Sequence, residues 1–533
     1  MLSISSYFSF PYFCLLLPLT IGLYAFTPQK IRRWVILLFS WLFFWAVSGK
    51  LIAYLLFSIL SAHHIGLWLS TVQKECDRAL ENVSREEKKQ QKARYQKKLK
   101  GILVFAVCLH LGILLFLKYS SFFATNINKL FAMLGLSFSL TVPSYLLPIG
   151  ISFYTMQVLA YLIDVYRRKI PADTNLMRLA LFISFFPQIM EGPICRYSDT
   201  AEKLWEAEHI QYKNLTFGLQ RIVFGLMKKM VVADRLNQFI QNVFSDYSTY
   251  DGFVIALAAV GYTFQLYMDF SGTMDLALGS SQIFGVSLPE NFQRPFFSKT
   301  ISEFWKRWHI TLGTWFKDYI FFPLSMSKPL KKLTARARKR LGNHFGPLLS
   351  GAIALFAVWL CNGLWHGAGW HYIFFGMYHF ALILIGNIIE PLVIKISKKL
   401  HISRKCLPYR CLQIIRTSIL VCIGELIFRA NGLKEGLKML RKIVTDFHLT
   451  TFKDGSLFTF GMDMADFGVI LCAAAVIFII GLIQERGNSI RDLISKKNII
   501  LRFVCYYALI MVIVVFGAYG SGYLPVEPIY ASF

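Results

Sequence analysis

Apolar windows of about twenty residues, the length a helix needs to cross a bilayer, recur along most of this 533-residue chain. Hydrophobic residues make up 55% of it. A water-soluble fold could not cover that much apolar surface. The pattern therefore predicts an all-α polytopic membrane protein with about 10–12 transmembrane helices plus re-entrant and interfacial helices. Spans are expected near 7–26, 34–49, 51–72, 101–119, 146–166, 345–364, 370–391, 413–430, 466–483 and 499–518. Stretches 176–193 and 252–286 are harder to place. The first is interrupted by Pro187 and Gly192-Pro193 and reads as re-entrant. The second could be two short spans broken at Asp269-Phe270-Ser271-Gly272. Irregular backbone at membrane depth is tolerated only where protein or a polar cavity surrounds it, so both segments are expected to line an interior path.

The excess of Lys and Arg, a formal net charge of +27, would suggest nucleic acid in a soluble domain. Here it gathers in short loops between apolar segments, which argues against nucleic-acid binding and for a record of orientation. Basic loops follow the first span and lie at 85–100, 395–410 and 486–502, and residues 328–340 hold seven basic residues and no acidic one. Placing these loops in the cytoplasm puts both termini outside and requires an even number of spans. No charged residue precedes Lys30, so the basic start of a cleaved signal peptide is missing and the first span is read as retained. The ten cysteines contain no CxxC pair, so neither a zinc site nor a disulfide framework is indicated. With no repeat or soluble domain, residues 1–533 read as one membrane domain. Its core spans about 100–395, followed by extra spans and an external tail over about 413–533.

Two amphipathic segments interrupt the spans. Residues 214–234 carry Arg221, Lys228 and Lys229 among apolar side chains, suiting a helix in the cytoplasmic interface. Residues 300–320 combine Trp305, Trp308 and Trp315 with Lys306, Arg307 and Lys317. Those tryptophans are expected at headgroup level.

Two histidines stand out. His309 lies in Phe304-Trp305-Lys306-Arg307-Trp308-His309-Ile310 and His366 in Gly363-Leu364-Trp365-His366-Gly367. Buried ionisable groups in an apolar protein are costly and mark functional sites by default, and imidazole exchanges protons near neutral pH. His366 is the candidate base, and Gly367 and Gly369 would let a substrate approach its ring. The competing reading is an interfacial histidine bonded to backbone. His309 is the candidate second group, against an interface anchor. Asp269 and Asp275 either line a chamber or pair with cations to hold the fold, and Asn291, Arg307 and Trp365 complete the candidate lining. Gln188, Glu191 and Arg196 are read as bracing the re-entrant loop. His371 and His379 read as packing or interfacial residues. No GxSxG elbow, P-loop, GxGxxG or HExxH occurs, leaving ATP hydrolysis, dinucleotide redox chemistry and zinc proteolysis without support.

The two histidine motifs, Pro148-Ile149-Gly150-Ile151-Ser152-Phe153-Tyr154-Thr155, Phe185-Phe186-Pro187-Gln188 with Gly192-Pro193-Ile194, Leu266-Tyr267-Met268-Asp269-Phe270-Ser271-Gly272 and Pro289-Glu290-Asn291-Phe292 together resemble the membrane-bound O-acyltransferase family. The similarity covers most of the chain. It points to the bacterial branch that holds alginate O-acetyltransferase and the D-alanyl transferase of teichoic acid modification. The resemblance implies a ring of helices around a central chamber, His366 as the catalytic histidine and His309 as a second functional one. It also implies an acyl thioester as co-substrate, acetyl-CoA or an acyl carrier protein, with no permanently bound cofactor and no metal. The implied setting is the bacterial cytoplasmic membrane, with an envelope polymer or a secreted or periplasmic acyltransferase as external partner and an acyl carrier protein on the cytoplasmic face. The final residues Pro528-Ile529-Tyr530-Ala531-Ser532-Phe533 are similar to the Phe-Ile-Tyr-x-x-Phe type tail of acetyltransferase-like members, which makes Tyr530 a candidate acyl relay. Acetyl transfer to an envelope polysaccharide is the first expectation and D-alanyl transfer to teichoic acid the second. A transporter or flippase, with His309, His366 and Asp269 as a proton path, is the reading from a different class.

Overall fold

The computed structural model describes residues 6–81, 83–519 and 523–526. Among them helices dominate and no extended strand forms. Among the described residues eight helical stretches are long and apolar enough to cross a membrane: Gln29–Ala79, Arg85–Met133, Gly252–Ile283, Lys328–His366, Trp370–Lys399, Leu407–Arg429, Met464–Glu485 and Ile499–Phe516. The first of these covers two of the expected spans, meeting at a short turn over Gly49–Leu51. The expected spans near 7–26 and 146–166 are shorter helical pieces, Tyr12–Phe26 and Ile151–Tyr166.

The described residues pack as two compact units. One comprises residues up to Leu219 and Ala277–Pro289; the other comprises Gln220–Leu276 and the residues from Glu290 onward.

In the first unit, segment 176–193 forms two short helices, Leu176–Ser184 and Phe186–Ile189, separated at Phe185. Side chains satisfy its irregular backbone. The Tyr7 hydroxyl donates to the Phe186 carbonyl and accepts from the Met190 N–H, both at 3.0 Å. Ser40 accepts the Phe186 N–H at 3.1 Å. The Gln188 amide donates to the Phe182 carbonyl at 2.6 Å. Non-helical backbone can lie deep in such a protein because these groups replace water.

Gly252–Ile283 is one unbroken helix, not two spans parted at 269–272. Gly272 acts as a packing notch. A Cβ there would sit 2.9 Å from the Gly225 carbonyl oxygen on helix Tyr212–Met227, so glycine is required for the helices to touch and not to end one of them.

The amphipathic segments also depart from expectation. Lys228 and Lys229 are buried, within a π-helical turn over Lys228–Ala233. Lys228 pairs with Asp275 at 2.7 Å, and Lys229 with Asp269 at 2.7 Å and Asp234 at 3.0 Å. They therefore serve as internal counterions and not as headgroup anchors. Lys229 also donates to the Val526 carbonyl at 2.6 Å, while Asp234 accepts the Val526 N–H at 2.8 Å. Residues 300–320 do not form one interfacial helix. Two short helices, Ile301–Arg307 and Ile310–Phe316, meet at Trp308-His309, and Trp308 and Trp315 are buried.

Candidate functional site

The break at His309 is held by the main chain. Phe292 and Trp308 form an antiparallel bridge. On either side of it the Gln293 N–H donates to the Arg307 carbonyl at 2.9 Å, and the Ile310 N–H donates to the Asn291 carbonyl at 3.0 Å. The two motifs around Asn291 and His309 are thus one short ladder. His309 itself is left-handed, with φ 46° and ψ 51°. For a residue with a Cβ that conformation is strained, and it persists only where the surroundings impose it.

Asn291 fixes the ring. Its side-chain oxygen accepts the Thr311 N–H and the Thr311 hydroxyl, both at 3.0 Å, and faces His309 Nδ1 at 3.3 Å. An amide N–H can only donate, so this atom is the oxygen and His309 Nδ1 carries the hydrogen. In the neutral ring Nε2 then holds the basic lone pair. Phe270 stands edge-on to His309 at 4.9 Å between centroids. His309 is 3% exposed. Burial and, secondarily, the His366 ring push its pKa well below the ordinary imidazole range.

His366 closes the second of two helical segments that meet at a break at Gly342 within Lys328–His366, and Gly367 continues as extended backbone. Its ring lies 5.1 Å from Trp365, 5.2 Å from Phe428 and 5.9 Å from Phe375. Trp365 also stands 5.6 Å from His309. One indole therefore touches both imidazoles.

The structure thus brings together Asn291, His309, Trp365 and His366 from the expected set. Asp269 is engaged with Lys229, and Arg307 with Glu303 at 2.8 Å and Glu485 at 2.6 Å. Tyr530 lies outside the described residues. Gly367 does not clear a path to the ring: a Cβ there would meet Tyr372 Cε2 at 2.2 Å, so its missing side chain is filled by the next helix.

His379, expected as a packing or interfacial residue, has a specific partner. It is fully buried and accepts the Trp305 indole N–H at Nδ1, at 3.2 Å. Phe375 stands 4.7 Å from its ring and 5.9 Å from His366. The spacing of His379 on its helix carries no trace of that bond, whose partner is 74 positions away.

Residues 49–338 match the membrane-bound O-acyltransferase family, a region that includes Asn291 and His309 and ends before His366. The chain is 31% identical to the probable alginate O-acetylase AlgI of Azotobacter vinelandii over 80% of its length and 75% of that protein. The chain belongs to the membrane-bound O-acyltransferase family. It is an O-acyltransferase embedded in a membrane. Two more relatives widen the range of acceptors within the family. The peptidoglycan O-acetyltransferase of Helicobacter pylori is 30% identical over 64% of each chain. The teichoic acid D-alanyltransferase of Bacillus subtilis is 34% identical over 52% of this chain and 68% of that one. The branch of the family expected from the motifs is the one these relatives occupy.

Proposed function

We propose that this acyltransferase moves an acetyl group from a cytoplasmic thioester to hydroxyls of a cell-envelope polysaccharide outside the bacterial cytoplasmic membrane. The observation that carries the reading is one indole touching two buried imidazoles, in a chain similar to an alginate O-acetylase over four-fifths of its length. In the proposed step an acceptor hydroxyl attacks the thioester carbonyl carbon. His366 takes the hydroxyl proton, the carbon–sulfur bond breaks, and the thiolate leaves with that proton. The products are an ester and a thiol. A positioned general base contributes roughly 10²–10⁴-fold. The aromatic walls of Phe375 and Phe428 keep water from the ring, and His309, fixed as the Nδ1–H tautomer, presents a second nitrogen lone pair for positioning.

The donor is acetyl-CoA or an acetylated carrier protein, and a secreted acyltransferase or the polymer itself receives the group. The similarity to the Bacillus subtilis protein favours a second reading, D-alanyl transfer to teichoic acid from a carrier protein. Membranes carrying the protein, given radiolabelled acetyl-CoA or D-alanyl carrier protein with each polymer, separate the two. Alkali-labile label on polysaccharide supports acetyl transfer. Label only with the D-alanyl donor moves the assignment to teichoic acid. His366→Ala should abolish transfer while the protein remains monodisperse in detergent and still binds donor. More than about a tenth of the wild-type rate would remove His366 as the base.

A further inference from the structure

The second unit holds a cavity of about 940 Å³ whose lining includes neither imidazole, within the size range of built ligand sites. One wall follows helix Met464–Glu485 from Ala474, near its middle, to Gln484, one residue short of its end, and then continues along residues 489–494. At 1.5 Å per residue the helical part alone covers about 15 Å, half the hydrocarbon thickness of a bilayer. The lined stretch of this helix thus matches the thickness of a single leaflet.

The chemistry of the lining changes along that stretch. Phe264, Ile477 and Phe478 supply apolar wall. Cations come from Arg221, Lys228, Arg294 and Arg491, against the carboxylates Asp275 and Glu290. Arg491 lies on the basic connector beyond the helix end. Arg294 pairs with Glu485, the last residue of the helix, at 2.6 Å. Arg221 reaches Asp275 at 3.0 Å and Glu290 at 2.6 Å. Burial, and after it the nearby Arg221, push the Arg491 guanidinium down from its ordinary value, while Asp275, Asp492 and Glu290 push it back up. Basic pockets between membrane helices are where anionic lipid headgroups bind.

We propose that this cavity seats one anionic phospholipid of the bilayer, its phosphate against Arg491 and Arg294 and an acyl chain along Phe264, Ile477 and Phe478. The shared chemistry, a phosphate attached to a long flexible chain, also describes the phosphopantetheine arm of a thioester donor, so the test must separate the two.

Wild type, Arg491→Gln, Arg491→Lys and Ile477→Trp are purified after delipidation and returned to vesicles of phosphatidylglycerol or phosphatidylcholine. Retained lipid is read by native mass spectrometry and melting by thermal shift. Wild type should keep phosphatidylglycerol and melt higher with it than with phosphatidylcholine. Arg491→Gln should weaken retention by about tenfold, the effect of losing one charge-assisted contact. Arg491→Lys should recover most of it, and Ile477→Trp, which fills the apolar end, should lose it with the cationic end intact. Equal retention by all four proteins overturns the proposal. So does displacement of the lipid by added coenzyme A together with a raised donor KM in Arg491→Gln, which would make the cavity the donor's.

Discussion

The side-chain oxygen of Asn291 decides which nitrogen of His309 carries a proton. It accepts the Thr311 N–H at 3.0 Å, so it faces His309 Nδ1 at 3.3 Å as an acceptor and requires a hydrogen there. A neutral amide thereby fixes the tautomer without contributing a charge. Asn291→Ala leaves three donors short of this acceptor, and a buried unsatisfied group costs about 1–3 kcal/mol. With His309 in the positioning role proposed above, the expected outcome is a lower Tm and a fall in kcat of about 10–100-fold, the scale for losing an outer-shell partner of a histidine. Asn291→Asp keeps the acceptor but adds charge, which favours protonated imidazole. It should retain most of the Tm and move the acid limb of the pH–rate profile upward. An unmoved profile would show that Asn291 does not act through His309.

His309 also makes stability depend on pH. An unfolded histidine takes up its proton near pH 6.5, whereas burial keeps the folded ring neutral to well below that. Between those values the unfolded state binds more protons, so stability is lost as pH falls. The contribution is constant above about pH 7 and declines from about pH 6.5 downward. Thermal unfolding of wild type and His309→Gln across pH 7.5 to 5 measures it. Parallel curves would count against a neutral buried ring.

Lys229 is the counterion of two buried carboxylates, Asp234 and Asp269. Lys229→Met leaves both without it, and breaking a buried pair on one side costs about 3–5 kcal/mol. The double change Lys229→Met with Asp269→Asn should recover part of that loss. If single and double variants melt alike, the network is not the source of the stability. Proteolysis at the C-terminal segment gives a second readout, because Lys229 and Asp234 hold the Val526 backbone.

At Gly367 the predicted effect is steric. Alanine places its Cβ 2.2 Å from the Tyr372 ring, and overpacking of this kind costs about 1–3 kcal/mol. Tyr372→Leu should relieve the clash, giving a non-additive double-mutant cycle. Additive losses would mean that the two residues do not compete for this space.

The membrane-helical class was legible because apolar run length is a local signal, and the family because its motifs are short contiguous segments. The two histidines stand out as rare ionisable groups in apolar sequence, and the structure places both rings against Trp365. What was not legible depends on distant partners. The tryptophans at 305–315 look like interface anchors until Phe292 bridges Trp308 and pulls that stretch inward. Lys228 and Lys229 look like headgroup cations until Asp275 and Asp269 meet them. Gly272 looks like a helix breaker until Gly225 packs against it. Composition records what a side chain is, and only tertiary structure records what it finds.

The backbone ladder between 290–293 and 307–310 separates two things that enzymes usually change together. The position of His309 is written into main-chain hydrogen bonds at Asn291, Gln293, Arg307 and Ile310, and most of those can be made whatever the side chains are. Neighbouring side chains other than that of Asn291 can therefore be exchanged, altering the size and polarity of the space around the ring, while the His309 backbone stays in register. The relatives named for alginate, peptidoglycan and teichoic acid differ in acceptor, and a frame held by main-chain bonds leaves the side chains around it free to differ.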